Sequence, residues 1–460
     1  MIGLGTMGRN LLLNMADHGF AAAGFDLDTG KISQLESAAT PGSQVKGFPT
    51  LAQMTKALNR PRKIMMLVPA GKPVDDVIEN LLPLLEKGDV IIDGGNSHYT
   101  DTLRRVKYVE EKGIHFMGIG ISGGERGARN GPSIMPGGDQ EAYNSIKQIL
   151  QAVAAKVGDS ACVAYLGKDA AGHYVKMVHN GIEYAIMQLI SETYWLLKKG
   201  AGLNNDQLHG VYAAWNEGDM KSFLLEITAA IFLQQDDKTP NRLVDLILDK
   251  AGSKGTGKWT SQDAMDLPVP VPVIDIAVSM RDLSSYKEER VAVAQLYSSQ
   301  DLNNKPGISQ DQLRDALHFA TIICYAQGLA MLQKASEELK MEIPVPEVVR
   351  IWRGGCIIRS ALLEIFLQAF NKTASLSNIL LDPNVASLLK SKEQSIRQVI
   401  TEAVKNGFPV AGMMAAISYF DAYRSAQLPT NLIQAQRDLF GAHTYQRVDM
   451  SGTFHTEWNQ

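Results

Sequence analysis

The chain begins with a glycine motif that restricts the folds open to its first residues. Gly3, Gly5 and Gly8 have the spacing G-x-G-x-x-G, and an apolar helical pattern and a short apolar strand, residues 21–25, follow. Such glycines let the backbone turn tightly and approach a pyrophosphate, which then lies at a helix N-terminus. The strand ends at Asp26, where a carboxylate can meet the ribose hydroxyls of a dinucleotide. The motif predicts a dinucleotide-binding domain; a glycine-rich turn without a ligand is the alternative.

Strand patterns alternate with helical patterns through the first third of the chain. Further strands are predicted at 63–69, 89–95, 114–121 and 161–167. Buried apolar strands that alternate with helices form a mostly parallel sheet covered on both faces. We therefore expect an α/β Rossmann-like, doubly wound domain over residues 1–169. Ligands bind beyond the carboxyl ends of such strands, where the turns 69–71, 94–96 and 122–124 are predicted to lie.

Helical patterns dominate the rest of the chain. Long ones occur at 170–199, 310–340, 345–371 and 391–406. They predict a large all-α domain over residues 170–428. The remaining tail, residues 429–460, is a poor helix beyond about Gly441 but too aromatic for a disordered segment. We expect a partner subunit to cover its aromatic side chains; packing back on its own domain is the alternative.

One predicted helix carries five different polar side chains on one face. At about 100° per residue, Lys176, His179, Asn180, Glu183 and Tyr184 lie within an arc of about 140°, and the opposite face is apolar. The face combines a candidate base, a candidate acid and hydrogen-bonding groups, which is typical of an active site. The alternative is the solvated face of an amphipathic helix. A solvated face usually repeats Lys, Glu and Gln, and this face has no repeat.

Composition and charge exclude several classes of protein. A length of 460 residues predicts more than one domain. The net charge of −4 argues against broad nucleic-acid binding, which needs a basic face. Three widely separated cysteines form neither a disulfide framework nor a metal-ligand spacing. We therefore expect no metal. We also expect a cytoplasmic protein without a membrane span, because the sequence has neither a signal-peptide pattern nor a run of about 18 apolar residues.

Several longer motifs carry a resemblance to a known family. They are "IIDGGN", "SGGE" with "GPSIMPGG", "GHYVKMVHNGIEY", "KGTGKWT", "WRGGCIIRS" and "IQAQRDLFGAHTY". Together they resemble the 6-phosphogluconate dehydrogenase family over essentially the whole chain. The resemblance implies oxidative decarboxylation of 6-phosphogluconate to ribulose 5-phosphate and CO₂, a step of the pentose phosphate pathway. It also implies a homodimer in which the C-terminal tail of each chain reaches into the other subunit.

The resemblance also implies roles for individual residues. Lys176 resembles the general base and Glu183 the general acid. The positions that match those holding the sugar acid are Asn96, Ser122, Gly123, Gly124, His179 and Asn180. The phosphate positions are Tyr184, Lys258, Thr260 and Arg281, and the partner's tail would supply Arg437 and His443. The expected dinucleotide contacts are Gly3, Gly5, Thr6, Met7, Gly8, Asp26, Leu27, Val68, Pro69, Ala70 and Asn96.

The loop after the second strand departs from the common family pattern. Many members read Asn-Arg-Thr there, with the arginine on the NADP 2′-phosphate, whereas this chain reads Asp26-Leu27-Asp28. A carboxylate at this place accepts hydrogen bonds from the ribose hydroxyls of NAD and repels a 2′-phosphate. We therefore expect NAD to be preferred, with NADP possible.

Two other functions remain open from the sequence. One is a β-hydroxyacid dehydrogenase that acts on another sugar acid without phosphate, against which Lys258, Thr260 and Arg281 argue. The other is a catalytically silent dinucleotide-binding protein, against which the retention of Lys176 and Glu183 argues. Activity on a non-phosphorylated acid at equal efficiency would support the first alternative, and a turnover assay decides the second.

Overall fold

The computed structural model describes residues 1–253, 255–297 and 307–458. Lys254 of the predicted loop 254–260 and the last two residues of the predicted tail lie outside this description. The strands are β1 (Ala22–Gly24), β2 (Val45–Gly47), β3 (Lys63–Met66), β4 (Val90–Asp93), β5 (His115–Ser122), β6 (Ser133–Gly138), β7 (Lys156–Val157) and β8 (Ser160–Ala161). The helices among them are α1 (Thr6–Asp17), α2 (Thr29–Ala38), α3 (Leu51–Ala57), α4 (Lys72–Leu81), α5 (Tyr99–Glu110), α6 (Gly124–Asn130) and α7 (Gln140–Val153).

The first residues of the chain join these strands into one sheet. Ile2 pairs in parallel with both Phe25 and Met66, so the order is β2, β1, residues 1–4, β3, β4, β5 and β6. Every pairing is parallel except that of β5 with β6. Val90 of β4 packs in one apolar cluster and Ile91 in another, because successive side chains point to opposite faces of the sheet. The predicted α/β Rossmann-like, doubly wound sheet is confirmed.

The last predicted strand of this sheet is wrong. Within residues 161–167 the regular strand structure is limited to the end of β8, and Val163 makes one bridge to Ile134. The strand β6, which is not predicted from the sequence, lies beside β5; its Pro136 and the two following glycines resemble a turn in sequence. Pairing with β5 over six residues makes this segment a strand despite its low local preference.

The second part of the described chain is helical, as predicted. Its helices are α8 (Ala171–Trp195), α9 (Asn205–Trp215), α10 (Phe223–Leu233), α11 (Thr256–Asp266), α12 (Pro272–Ser285), α13 (Lys287–Leu296), α14 (Gln310–Glu338), α15 (Val345–Trp352), α16 (Leu362–Lys372), α17 (Pro383–Lys405), α18 (Ala411–Tyr423) and α19 (Thr430–Gly441). The single helix predicted over 345–371 is two, because the chain turns at Gly355, whose φ is 69°. The domain boundaries after residues 169 and 428 stay a prediction.

Helix α8 lies unusually close to the sheet because glycines face it. A Cβ atom at Gly120 of β5 would overlap the Cβ of Lys176, and one at Gly172 would overlap the carbonyl oxygen of Gly118. Since neither overlap can be relieved by rotating a side chain, these glycines set the distance between helix and sheet. Lys176 therefore lies directly against the carboxyl-terminal half of β5.

Helix α14 is the long buried helix of the second part. It is long and apolar enough to cross a membrane, but 83% of its most apolar window is buried inside the protein, as in core helices of soluble proteins. The tail helix α19 is different, since Leu432, Ile433, Leu439 and Phe440 are all exposed. The prediction that something outside its own domain covers these side chains therefore stays open.

Candidate active site

The glycine motif forms a turn that leaves room for an anion. Gly3 has a φ of 86°, and a Cβ atom at Gly8 would overlap the carbonyl oxygen of Gly3, so both positions require glycine. Gly5 caps α1, and the space beside it is open to at least 4 Å. The N–H groups of the first turn, which begins with Thr6 and Met7, are therefore accessible to a pyrophosphate. The turn fits a dinucleotide.

A cleft of about 920 Å³ lies along this turn. Its lining includes Gly3, Gly5, Asp26, Leu27, Lys31, Val68 and Pro69. Ala70 and Asn96, also predicted to contact the dinucleotide, are exposed in the turns after β3 and β4. The structure thus brings the predicted dinucleotide contacts of three strand ends to one edge of the sheet.

The Asp26 carboxylate is already held by its own loop. Its Oδ2 accepts from the Leu4 N–H at 2.7 Å, and its Oδ1 accepts from the Asp28 N–H at 3.0 Å and lies 3.5 Å from Lys31 Nζ. Burial acts to raise the pKa of Asp26, but these hydrogen bonds and Lys31 together lower it. The carboxylate is therefore ionised at neutral pH. Next to it, the Leu27 side chain is 92% exposed.

Lys176 is buried and held by its neighbours on α8. Its Nζ donates to Asn180 Oδ1 at 2.8 Å and lies 3.5 Å from His179 Nδ1. Burial lowers the pKa of Lys176, against the opposing effect of the Glu183 carboxyl group. Burial likewise raises the pKa of Glu183, against Lys176 and Arg281. The two shifts favour a neutral amine and a protonated acid, which are the forms that a base and an acid need.

His179 connects Lys176 with the end of β5. Its Nε2 lies 3.1 Å from Ser122 Oγ and its Nδ1 lies 3.1 Å from Asn180 Oδ1. Because Asn180 Oδ1 can only accept, Nδ1 carries the proton and donates to it. Nε2 then accepts from the Ser122 hydroxyl, whose oxygen accepts from the Ile357 N–H at 3.3 Å. Burial and the Lys176 charge hold the pKa of His179 well below its ordinary value, so the ring is neutral.

Gly123 and Gly124 continue the same edge. Gly123 has a φ of 132° and caps α6, and a Cβ atom there would lie 2.5 Å from the Gly355 carbonyl oxygen. Gly124 has a φ of 62° and opens toward free space. The backbone here can approach a ligand beside Ser122, as the resemblance implies.

The residues predicted for the phosphate lie on three helices: Tyr184 is two turns beyond Lys176 on α8, Lys258 and Thr260 are on α11, and Arg281 is on α12. The guanidinium carbon of Arg281 is 3.6 Å from the centre of the Tyr184 ring, and Gly257 lies so close to this ring that a Cβ atom there would be 2.3 Å from it. Lys258 is exposed in the first turn of α11. Thr260 is fully buried, and its hydroxyl donates to the Met177 carbonyl oxygen at 2.8 Å. Thr260 therefore joins α11 to α8 in this conformation, and its contact with a phosphate stays a prediction.

The two predicted tail residues do not join this site within one chain. Arg437 donates to Gln434 at 3.2 Å within α19, and His443 packs on Phe440 with ring centres 5.8 Å apart. Both predicted residues are exposed. Their entry into the site of a second subunit remains to be tested.

A buried ionic network supports the turn of Asn96, and sequence reasoning missed it. Arg105 donates to Asp75 Oδ1 at 2.8 Å and to the Gly71 carbonyl oxygen at 3.0 Å, and lies 3.6 Å from Asp93 Oδ2. Asp93 in turn accepts from Ser97 Oγ at 2.5 Å. The network fixes the turns after β3 and β4 to each other. The only sequence signal was an aspartate at the end of an otherwise apolar strand.

A second missed cluster joins three helices. The Asp263 carboxylate of α11 accepts from Tyr99 of α5 at 2.5 Å and from Tyr174 of α8, with all three side chains buried. These residues are 89 and 164 positions apart from Asp263 in sequence, so no local pattern indicates the cluster. Among residues 1–253, 255–297 and 307–458, no group of three or more His, Cys, Asp or Glu side chains is placed to hold a metal.

The sheet, the glycine turn and the buried lysine define a nicotinamide-dinucleotide-dependent dehydrogenase. Comparison with known proteins narrows the class. Residues 1–167 match the NAD binding domain of 6-phosphogluconate dehydrogenase, and residues 172–458 match the C-terminal domain of 6-phosphogluconate dehydrogenase.

Full-length relatives agree with these matches. The chain is 49% identical to the NADP(+)-dependent, decarboxylating 6-phosphogluconate dehydrogenase of Bacillus subtilis, over 100% of this chain and 98% of that protein. It is 47% identical to decarboxylating 6-phosphogluconate dehydrogenase 2 of Arabidopsis thaliana, over 100% and 96%. The solved structure of Plasmodium falciparum 6-phosphogluconate dehydrogenase superposes with a TM-score of 0.96 at 42% identity, covering 99% of both chains.

The chain therefore belongs to the 6-phosphogluconate dehydrogenase family and is a decarboxylating oxidoreductase that binds a nicotinamide dinucleotide. The family, the fold and the enzyme class predicted from the sequence are confirmed.

Proposed function

We propose that this enzyme oxidises 6-phospho-D-gluconate with NAD and releases CO₂ to form D-ribulose 5-phosphate, with Lys176 as the base and Glu183 as the acid. The proposal rests on one observation above all. A buried lysine with a lowered pKa and a partly buried glutamate with a raised pKa share one face of α8. This pairing suits a reaction that first removes a proton from one carbon's hydroxyl and later adds a proton to another carbon.

Lys176 takes the proton of the C3 hydroxyl in the first step. It can do so only as a neutral amine, and burial in α8 favours that form. Asn180 Oδ1 orients Nζ through the hydrogen bond of 2.8 Å. A bound nicotinamide dinucleotide, held at the turn of Gly3 and Gly5 and by Asp26, would supply the acceptor for the hydride of C3.

The protonated Lys176 then serves the second step. The resulting β-keto acid loses CO₂ because the ketone stabilises the enolate that forms, and an ammonium beside that oxygen favours the developing charge. Glu183 lies two helical turns from Lys176, about 10 Å along the axis. The two side chains can therefore flank one sugar acid. A protonated Glu183 would supply the proton to substrate C2, the neighbour of C3, which becomes C1 of ribulose 5-phosphate once CO₂ has left.

The neighbouring residues hold the sugar acid between these two groups. Ser122, His179 and Asn180 form one hydrogen-bonded chain against β5, which presents polar atoms in fixed positions. Gly123 and Gly124 would allow close backbone approach to the substrate, and the exposed Asn96 in the turn after β4 is proposed to contact both the dinucleotide and the sugar acid. A network of this kind costs no reorganisation when the substrate binds.

The phosphate end of the substrate is assigned to cations near Tyr184. Arg281 stacks on the Tyr184 ring, which restrains a guanidinium that can bind phosphate with two hydrogen bonds. Lys258 adds a second, exposed charge. Together they support a phosphorylated substrate over a neutral sugar acid.

The preference for NAD is proposed from the loop after β1. The Bacillus subtilis relative is named as NADP(+)-dependent, and the Plasmodium falciparum enzyme is described in complex with NADP+. Membership of the family therefore does not establish a preference for NAD. Asp26 is ionised and faces the cleft, and its nearest cation, Lys31, is paired with it at 3.5 Å. Leu27 offers no charge to a 2′-phosphate. This arrangement suits a ribose with free hydroxyls.

The proposed assembly is a cytoplasmic homodimer in which each tail reaches the partner's site. Two features support the contact of the tail with a partner: the exposed apolar side chains of α19, and the exposed, cationic Arg437 beside them. Arg437 and His443 would then add positive charge and a hydrogen-bonding ring to the partner's substrate phosphate.

Steady-state kinetics of the wild-type enzyme test the proposal. The expected result is turnover of 6-phosphogluconate with CO₂ release and a kcat/KM at least about tenfold higher with NAD than with NADP, or about 1.4 kcal/mol. Gluconate is the matched control because it lacks only the phosphate. Equal efficiency with gluconate would contradict the assigned phosphate site. A higher kcat/KM with NADP would contradict only the proposed preference for NAD, which rests on Asp26 and Leu27. Absence of turnover with either dinucleotide would refute the proposed reaction.

A further inference from the structure

The C-terminal tail folds back on a single buried carboxylate. Asp438, in the last turn of α19, is fully buried and accepts four hydrogen bonds. The donors are the Thr444 N–H at 2.9 Å, His455 Nδ1 at 2.9 Å, the Thr456 N–H at 3.0 Å and Trp458 Nε1 at 2.8 Å. All four belong to residues that follow α19, so the end of the chain is tied to the helix through this one side chain.

The turn between the helix and these donors is strained. Ala442 and Thr444 have φ values of 51° and 60°, in the left-handed region that residues with a Cβ rarely adopt, and His443 lies between them. Such residues persist only where the surrounding structure fixes them, and they often mark functional positions. Gln434 adds to the fixation, since it donates to the Thr444 carbonyl oxygen at 2.5 Å and accepts from Arg437 at 3.2 Å.

We propose that Asp438 is a positioning residue that holds Arg437 and His443 as a preformed pair for the substrate site of the partner subunit. The inference rests on the proposed entry of the tail into that site. Asp438 touches no substrate itself. It fixes the turn 442–444 from one side, and Gln434 fixes Arg437 and the same turn from the other.

Preformation matters because the two side chains are exposed in the tail. An arginine and a histidine on a flexible segment would lose conformational freedom on binding, and that loss weakens binding. A turn already held in the bound conformation avoids most of this loss. The segment after His443 therefore has a role although none of its residues is assigned to the site: it supplies the four donors that hold Asp438.

The first test is Asp438→Asn, which keeps the size of the side chain and replaces one acceptor oxygen by an amide that donates. The expected result is a rise of about tenfold in KM for 6-phosphogluconate, with KM for the dinucleotide within about twofold, because the tail is not part of the dinucleotide cleft. Asp449→Asn is the matched control, since Asp449 lies in the same tail and is exposed. Within the described residues, its side chain accepts hydrogen bonds from Arg447 only. The control should leave both KM values unchanged.

The second test uses mixed dimers with Lys176→Ala chains. A wild-type chain paired with a chain carrying both Lys176→Ala and Asp438→Asn has one active site, which receives the altered tail, and should show the raised KM. An Asp438→Asn chain paired with a Lys176→Ala chain should show the wild-type KM, because its active site receives an intact tail. The reverse pattern would overturn the proposal.

A milder variant keeps the proposal testable if Asp438→Asn fails to fold. Trp458→Phe removes one of the four donors and keeps the ring, and it should raise KM for 6-phosphogluconate by about threefold. Arg437→Ala separates the two levels of the argument. If Arg437→Ala raises KM and neither tail variant does, Asp438 has no positioning role. If Arg437→Ala has no effect either, the proposed entry of the tail into the partner's site is wrong, and the positioning role is wrong with it.

Discussion

Leu27→Arg should move the enzyme toward NADP, and the structure allows the size of the effect to be worked out. The Leu27 side chain is 92% exposed, so the substitution loses almost no packing. The wild-type penalty against NADP arises because the ionised Asp26 would face the 2′-phosphate. Two like charges 4 Å apart repel by about 1 kcal/mol in water and about 4 kcal/mol near a protein surface, and Lys31 offsets part of this.

An arginine at position 27 adds charge-assisted hydrogen bonds to the phosphate, which are worth about 1.5–3 kcal/mol. Because the new side chain is exposed, we expect the lower end, a gain of about tenfold in kcat/KM with NADP, with NAD changed by less than about twofold. Adding Asp26→Asn should raise kcat/KM with NADP further, because it removes the charge that repels the 2′-phosphate. It should lower kcat/KM with NAD, because Asp26 also accepts from the Leu4 and Asp28 N–H groups and so holds the loop in place.

The assay is a comparison of kcat/KM for both dinucleotides together with their dissociation constants from fluorescence titration. Leu27→Gln is the matched control, since it changes the shape and polarity of the side chain but adds no charge. Titration separates an effect on binding from an effect on turnover. If Leu27→Arg and Leu27→Gln shift the preference equally, or if Leu27→Arg leaves NADP binding unchanged, the charge argument for this loop is refuted.

Three further results are expected. Glu183→Gln should lower kcat at least about 100-fold and abolish stereospecific deuterium uptake at C1 in D₂O, because an amide cannot give up the proton; normal uptake would exclude Glu183 as the acid. Gly120→Ala should lower kcat about 100-fold while dinucleotide affinity stays unchanged, because its Cβ would overlap Lys176 and displace the amine; unchanged turnover would show that the close packing does not place the base. The Glu192 carboxyl group accepts from the Gly412 and Met413 N–H groups at the N-terminus of α18, and burial raises its pKa from 4.5 to about 7. Between pH 4.5 and 7 the folded state therefore keeps a proton on Glu192 that the unfolded chain has lost. The free energy of unfolding should therefore fall by up to about 3 kcal/mol as pH rises from 4.5 to 7, and Glu192→Gln, compared at one protein concentration by urea denaturation, should remove that slope.

The polar face of α8, to which we assign catalysis, could be predicted because its information is local. A helical period and five dissimilar polar side chains define it, and the structure places Lys176, His179 and Asn180 within one hydrogen-bonded chain. The glycine turn is local in the same sense. Its residues are restricted by backbone geometry, which the spacing of the glycines already expresses.

Features that depend on distant residues could not be predicted. Strand β6 contains Pro136 and two glycines, and only its pairing with β5 makes it a strand. The motif of Thr260 predicts a phosphate contact, which stays a prediction, but it gives no sign that the Thr260 hydroxyl donates to the Met177 carbonyl oxygen 83 positions away. Asp438 gives no sequence signal either, since its donors lie up to 20 positions away and meet it only after the tail has folded.

The most direct test of the proposed mechanism is the pair Lys176→Ala and Lys176→Arg, measured for turnover and for dinucleotide binding. Arginine keeps a positive charge but cannot lose its proton at neutral pH, so it separates a base from a fixed charge. Both variants should lose at least about 100-fold in kcat, with dinucleotide dissociation constants within about twofold of wild type. A Lys176→Arg enzyme that kept more than about a tenth of the wild-type kcat would contradict the role of Lys176 as the general base.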